Sequence, residues 1–375
     1  MAGVYIHIPF CRQACTYCNF HFSVSMKNKG AMIEAINKEI SGSGDFITDK
    51  NIETVYIGGG TPSLLTSAEL AAIFNTLSRR FIIAGDAEIT LEANPDDITP
   101  ENLNDWLQLG VNRLSVGLQS FNEAELRWMH RAHTAAQSVQ CLNHIKAAGF
   151  TNFSVDLIYG SPLQTDEDLE INFEIVALKG VPHISCYALT VESGTALYRS
   201  IEKKQSLSVD PDKQSEQFYI LLDLMQAAGY EQYEISNFAL PGYRSRHNSS
   251  YWQGKPYHGF GPAAHSFDGK TKRRWNVSNN TLFIQSTEQN IIAYEEEILT
   301  DMQRLNEYVM TSLRTAEGLK LDIVKKNFGE ENAGRIINGA QKYLQGDKMI
   351  QTGSGLILTK EGKFFADGIA ADLFG

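Results

Sequence analysis

Cys11, Cys15 and Cys18 fall within eight residues, spaced C-x3-C-x2-C, and Phe20 stands where a C-x2-C-x-C run needs a further cysteine. Thiolates are the soft ligands that iron–sulfur clusters and zinc prefer. A cubane cluster has four irons, so three thiolates leave one iron without a protein ligand and open to an exogenous molecule. Zinc is the rival, because His21 follows Cys18 with two residues between and completes a Cys3His set. The bland alternative is three small buried residues.

Other stretches carry chemistry of their own. Gly58-Gly59-Gly60-Thr61-Pro62 can bring bare backbone close to a ligand and aim N–H groups at a carboxylate, although a plain tight turn uses glycines equally well. Glu92 ends a strand-like stretch, where a lone carboxylate is commonly just solvated. Arg131 offers a bidentate fork to a carboxylate, or is a surface residue. Arg246-His247-Asn248-Ser249-Ser250-Tyr251-Trp252 sets an imidazole among aromatics, which serves either as a packed or hydrogen-bonded core group or as a ligand contact.

These residues need elements to position them. Gly3–Ile8 reads as a short buried strand, with the cysteine loop at its C-terminal end. Ile33, Ile36 and Ile40 recur at helical spacing, and Val55–Ile57 is the next strand. Thr66-x-x-Glu69 opens a helix with a capping box, and Leu70, Ile73, Phe74 and Leu77 give it an apolar face. The unit repeats: strands at 88–93, 113–117, 152–157 and 184–189 alternate with helices that close at Gly110, Gly149, Gly180 and Gly229. Six alternating β/α units predict an α/β fold with a parallel sheet, helices outside and ligands at the C-terminal strand ends; periodicity does not separate an open sheet from an incomplete barrel. Beyond about residue 235 the alternation stops. Residues 237–290 are rich in Asn, Gly, Ser and aromatics, and a helical pattern returns from about 291.

Four ordered motifs carry a resemblance that covers essentially the whole chain. They are Tyr5-Ile6-His7-Ile8-Pro9-Phe10-Cys11 running into the cysteine loop, Gly58-Gly59-Gly60-Thr61-Pro62-Ser63, Ser115-Val116-Gly117-Leu118-Gln119-Ser120-Phe121, and Asp156-Leu157-Ile158-Tyr159-Gly160. Together they resemble the radical S-adenosylmethionine (SAM) family, in the branch of the oxygen-independent coproporphyrinogen III oxidases and the HemW-type heme chaperones. The resemblance implies a partial (β/α)6 barrel over 1–236, a connecting segment at 237–290, and a small C-terminal helical or winged-helix-like domain at 291–375. It implies a 4Fe–4S cluster on Cys11, Cys15 and Cys18, with SAM chelating the open iron. Gly59, Gly60 and Thr61 match the SAM-methionine loop. Glu92, Gln119, Arg131 and Asp156 match positions lining the SAM or second-ligand pocket, and Tyr5 and Tyr17 match residues beside the cluster. The H-N-x-x-Y-W run, Phe20 in place of the oxidase's extra cysteine, and the lack of the oxidase's extension ahead of the first strand all side with the chaperones. This implies heme as ligand, His247 as its candidate contact ahead of His258 and His265, and apo-hemoproteins as acceptors. Coproporphyrinogen decarboxylation is the enzymatic alternative; SAM cleavage, a homodimer and peripheral docking on membrane hemoproteins are left open.

Composition agrees with a soluble globular protein. The 375 residues are 43% hydrophobic and 21% charged, enough for a sizeable core. A net charge of −11 argues against a nucleic-acid surface. The two remaining cysteines, Cys141 and Cys186, lie in a helical and a strand pattern and read as small core residues. Five cysteines make no secreted disulfide framework. The chain shows no signal-peptide pattern and no apolar run of about 18 residues, which places it in the cytoplasm.

Overall fold

The computed structural model describes residues 2–353 and 355–375. Six strands, β1 (Ala2–Ile8), β2 (Asn51–Gly59), β3 (Ile82–Ala93), β4 (Arg113–Gln119), β5 (Phe153–Tyr159) and β6 (His183–Ala188), lie side by side in chain order and all parallel. Helices α1 (Lys29–Gly42), α2 (Ser67–Arg80), α3 (Pro100–Gln108), α4 (Glu123–Trp128), α5 (Ala135–Ala147) and α6 (Asp166–Leu178) fill the connections. The α/β partial-barrel expectation therefore stands. Local chemistry starts the helices: Thr66 forms the full capping box expected of it, and Thr134 and Thr165 form two more, a contribution of about 1 kcal/mol apiece. The strand around Glu88 begins earlier than its alternation suggests, because Ile82 and Ile83 pair with Asn51 and Ile52.

After α7 (Ala196–Glu202) and α8 (Pro211–Ala227) the chain builds further strands on both flanks of the sheet. β7 (Glu231–Glu234) and β8 (Asn237–Ala239) run antiparallel beyond β6. Following α9 (Arg246–Trp252), β9 (Tyr257–Phe260) returns to pair parallel with β1 on its other side, and β10 (His265–Phe267), β11 (Lys272–Asn276) and β12 (Tyr294–Ile298) extend the sheet outward. The stretch 291–298 thus ends in a strand where a helical pattern was expected. A second hydrophobic cluster, centred on Val309, Val324, Ile336 and Leu356, packs helices 301–345 against a three-stranded antiparallel sheet. That is the expected small C-terminal unit.

Glu39 on α1 joins the barrel to these added strands. Its buried carboxyl accepts from Gly261 N–H (2.7 Å) and Asn276 Nδ2 (2.6 Å). Burial pushes it up from 4.5 to about 8, against those two hydrogen bonds. The folded state thus keeps a proton that the unfolded chain gives up. Its contribution to stability is complete below about pH 4.5, falls as pH rises, and levels off above about 8. At about 1.4 kcal/mol per unit the loss is a few kcal/mol. Urea titrations should show a midpoint that declines across this window in the parent protein and declines less in Glu39→Gln.

Candidate functional site

The cysteine loop leaves the C-terminal end of β1 and is fastened at both flanks. Cys11 N–H donates to the Ser23 carbonyl (3.0 Å), and Ser23 N–H to that of Pro9 (2.9 Å). On the far flank Thr16 N–H reaches the Met129 carbonyl (3.1 Å), Gln13 Nε2 that of His130 (2.9 Å), and His130 Nδ1–H that of Ala14 (2.7 Å). Arg131 completes the fastening. Its Nη1 donates to Cys15 Sγ (3.3 Å), and its Nη2 to Asn94 Oδ1 (2.9 Å) and the Gly117 carbonyl (2.7 Å). The guanidinium is not a surface group; it ties Cys15 to the ends of β3 and β4, and its buried Nε has no protein partner.

All three cysteines are free and partly exposed. Burial pushes Cys11 up to about 11 and raises Cys18 as well, opposite to the depressed pKa of a nucleophilic thiol. A bound metal deprotonates such thiols outright, so the donor set suits metal ligation. Among the described residues no three His, Cys, Asp or Glu side chains converge on one metal ion. His21 lines a different cavity and has its Nε2 against Asn280 Oδ1 at 2.7 Å. The Cys3His zinc alternative therefore fails on geometry. A cubane, which takes one thiolate at each of three irons, needs no such convergence.

The cysteines and Tyr17 form one wall of a cavity of about 430 Å³, within the usual range of about 300–1,000 Å³ for small-molecule sites. The opposite wall comes from the C-terminal strand ends: Gly59, Gly60 and Thr61 after β2, Glu92 on β3, Gln119 on β4 and Asp156 on β5, with Arg131 beside them. Eleven of the thirteen expected site residues meet here. Tyr5 and His247 do not.

The glycine run serves a different purpose from the one expected. Gly59 N–H donates to Glu92 Oε2 (3.0 Å), Gly60 N–H to the Ile8 carbonyl (2.9 Å) and Thr61 N–H to that of Phe10 (2.7 Å), so these groups are not aimed at a ligand carboxylate. What glycine provides is room. A Cβ on Gly60 would lie 2.5 Å from the Phe10 carbonyl oxygen, and one on Gly59, which sits at φ +109°, 2.6 Å from the His7 ring.

Glu92 is not solvated either. Tyr56 OH donates to its Oε1 at 2.7 Å, and burial, with Asp156 adding to it, raises Glu92 to about 7. Burial lifts Asp156 to about 6, against the Ser185 hydroxyl and the charges of Arg113 and Arg131. Gln119 adopts φ +68°, a left-handed conformation unusual outside glycine and frequent at functional sites. The sequence reading missed Tyr56 and Asn94, both cavity-lining. Their signal was position, since polar residues on inner strands or just past their ends face the site in such folds.

The structure places His247 outside both cavities. It is completely buried, with Nδ1 against Thr54 Oγ1 (2.7 Å), Nε2 against Tyr251 OH (2.8 Å) and its ring stacked on Tyr56. Both nitrogens are engaged, and the ring lines neither this cavity nor its neighbour. Tyr5 OH lies 3.1 Å from His7 Nδ1 and faces the neighbour, a cavity of about 1150 Å³. Asn19 and Phe20 line both cavities and so form a shared boundary.

The radical SAM superfamily profile matches residues 5–174. The heme chaperone HemW of Mycobacterium tuberculosis is 33% identical over 379 residues, covering 100% of this chain and 95% of that protein. HemW of Bacillus subtilis is 32% identical over 384 residues and 100% of both chains. Coproporphyrinogen III oxidase (HemN) from Escherichia coli matches the fold with a TM-score of 0.86 at 23% identity, over 100% of this chain and 90% of that one. Fold, cysteine loop and cavity define a radical SAM protein, whose cofactors are a 4Fe–4S cluster and SAM. Within that superfamily the chain belongs to the HemW family.

Proposed function

We propose that this protein is a cytoplasmic heme chaperone that carries a 4Fe–4S cluster and SAM and passes heme to apo-hemoproteins. The observation that carries the reading is similarity to HemW proteins along the full length of the chain, with Cys11, Cys15 and Cys18 brought to one cavity. Among the described residues no helix is long and apolar enough to cross a membrane, so contact with membrane hemoproteins would be peripheral; a homodimer is compatible with the reading.

Cys11, Cys15 and Cys18 would hold the cluster, and the strand ends that share the cavity would receive SAM. When bound, the pair supplies one-electron chemistry at the cavity. The chain's own residues prepare the site. Arg131 keeps Cys15 in place. Glu92, held by Tyr56, and Asp156 are two acceptors for ribose hydroxyl or ammonium groups. Their raised pKa values, about 7 and about 6, let either carboxyl hold or release a proton near neutrality.

The test compares two ligands on anaerobically reconstituted protein. Incubation with SAM and coproporphyrinogen III should yield no protoporphyrinogen, whereas heme titration should saturate with a stable absorption band. Turnover without retained heme would overturn the chaperone reading in favour of decarboxylation.

A further inference from the structure

We propose that the larger cavity is the heme site, with the His265 imidazole as the iron ligand. This rests on the heme-chaperone reading above and adds the place and the ligand. At about 1150 Å³ the cavity exceeds the usual range of about 300–1,000 Å³ for drug-sized ligands, so it has room for a tetrapyrrole that the cysteine cavity lacks. Its walls come from the barrel, the added strands and the C-terminal unit, and planar side chains recur on them: Tyr251, Trp252, Tyr257, Phe267 and Phe328.

Three histidines line it, and their hydrogen bonds separate them. His7 has Nδ1 against Tyr5 OH and Nε2 against the His21 carbonyl. His21 has Nε2 against Asn280. His265, on β10, is exposed to the cavity with its ring stacked against Trp275 at 6.1 Å, and neither of its nitrogens has a hydrogen-bond partner among the described residues. His247 and His258 are ruled out by burial, at 0% and 8% exposed. Burial, and then the Arg273 charge, hold His265 below its usual pKa. Ligation then needs only that a ring lone pair displace a water from the iron, with no change in electron count.

The charges suit a dicarboxylate. The chain as a whole carries −11, yet Lys255, Lys270, Arg273 and Arg304 all line this cavity, with Glu307 as the one acidic residue among its walls. Glu307 and Asp301 occupy the two arginines, and Glu53 stands 3.8 Å from Lys255. The Lys270 ammonium has no carboxylate partner among the described residues. The Trp252 indole Nε1 is buried without an acceptor. Of these, the exposed Lys270 is the donor available to a propionate group.

Ferric heme would be titrated into the anaerobically reconstituted full chain and into His265→Ala, reading the Soret and visible bands. The parent should give a one-to-one endpoint with a nitrogen-ligated spectrum. In His265→Ala affinity should fall about tenfold or more, a loss that even outer-shell substitutions at metal sites produce, and added free imidazole should restore the bands. Circular dichroism and the cluster absorption should be unchanged, since His265 is exposed. His265→Met should bind heme with a visibly different ligand spectrum. If the parent binds heme and His265→Ala keeps the parent's spectrum and affinity, the site assignment fails while the chaperone reading stands. If the parent binds no heme, both fail.

Discussion

Cys15→Ala, prepared anaerobically with iron and sulfide, is expected to lose the brown sulfide-to-iron absorption and to retain iron only at background, with its far-UV circular dichroism unchanged. Cys15 lies in a partly exposed loop and contributes nothing to either large hydrophobic cluster. What the fold loses is the sulfur that accepts from Arg131 Nη1. Leaving that donor unpaired costs about 1–3 kcal/mol, which a chain with cores of this size tolerates. Cys141→Ala is the matched control. That thiol is buried in α5 and donates to the Ser138 carbonyl, so its removal should leave the colour intact. A Cys15→Ala protein that unfolds wholesale, or stays brown, contradicts the assignment of the loop.

The second large effect comes from a residue that gives the cluster no ligand. Gly60→Ala is expected to abolish cluster assembly almost as completely as loss of a cysteine. A Cβ there would meet the Phe10 carbonyl oxygen at 2.5 Å, the Ile8 carbonyl oxygen at 2.8 Å and the Phe10 nitrogen at 2.8 Å. All three are backbone atoms, so no rotamer relieves the clash. The chain from Ile8 to Cys11 must move, and with it the hydrogen bonds from Gly60 N–H and Thr61 N–H. Overpacking of this kind costs about 1–3 kcal/mol, felt mostly where the cysteine loop is anchored. Iron and sulfide analysis after reconstitution, followed by a chelator challenge, measures it. Full cluster occupancy with parental chelator resistance would show that the loop position is not set by this contact.

Most of the barrel was legible because its signals are local. Capping threonines, closing glycines and helical spacing lie within a few residues of what they specify, and the three cysteines stand close enough in the chain to read as one ligand set. The features that were misread depend on distant partners. His247 looked available in a run of polar and aromatic residues, but Thr54, nearly two hundred positions earlier, takes one of its nitrogens. Arg131 read equally as a surface group because Asn94 and Gly117 fix it through tertiary contacts. The glycine run was assigned to ligand contact when its neighbour is the base of the cysteine loop. β9, four residues long, carries too little periodicity to announce that it pairs with β1.

That pairing has a consequence for how the protein is made. Tyr5 sits opposite Gly259, so one flank of β1 waits for a partner about 250 positions downstream. At roughly 5–20 residues per second, a ribosome needs on the order of ten seconds or more between emitting the two. Throughout that interval the strand that ends at the cysteine loop presents an unpaired edge, the kind of surface that invites association with other nascent chains. A chain whose first strand is completed this late is itself in need of protection during its own synthesis.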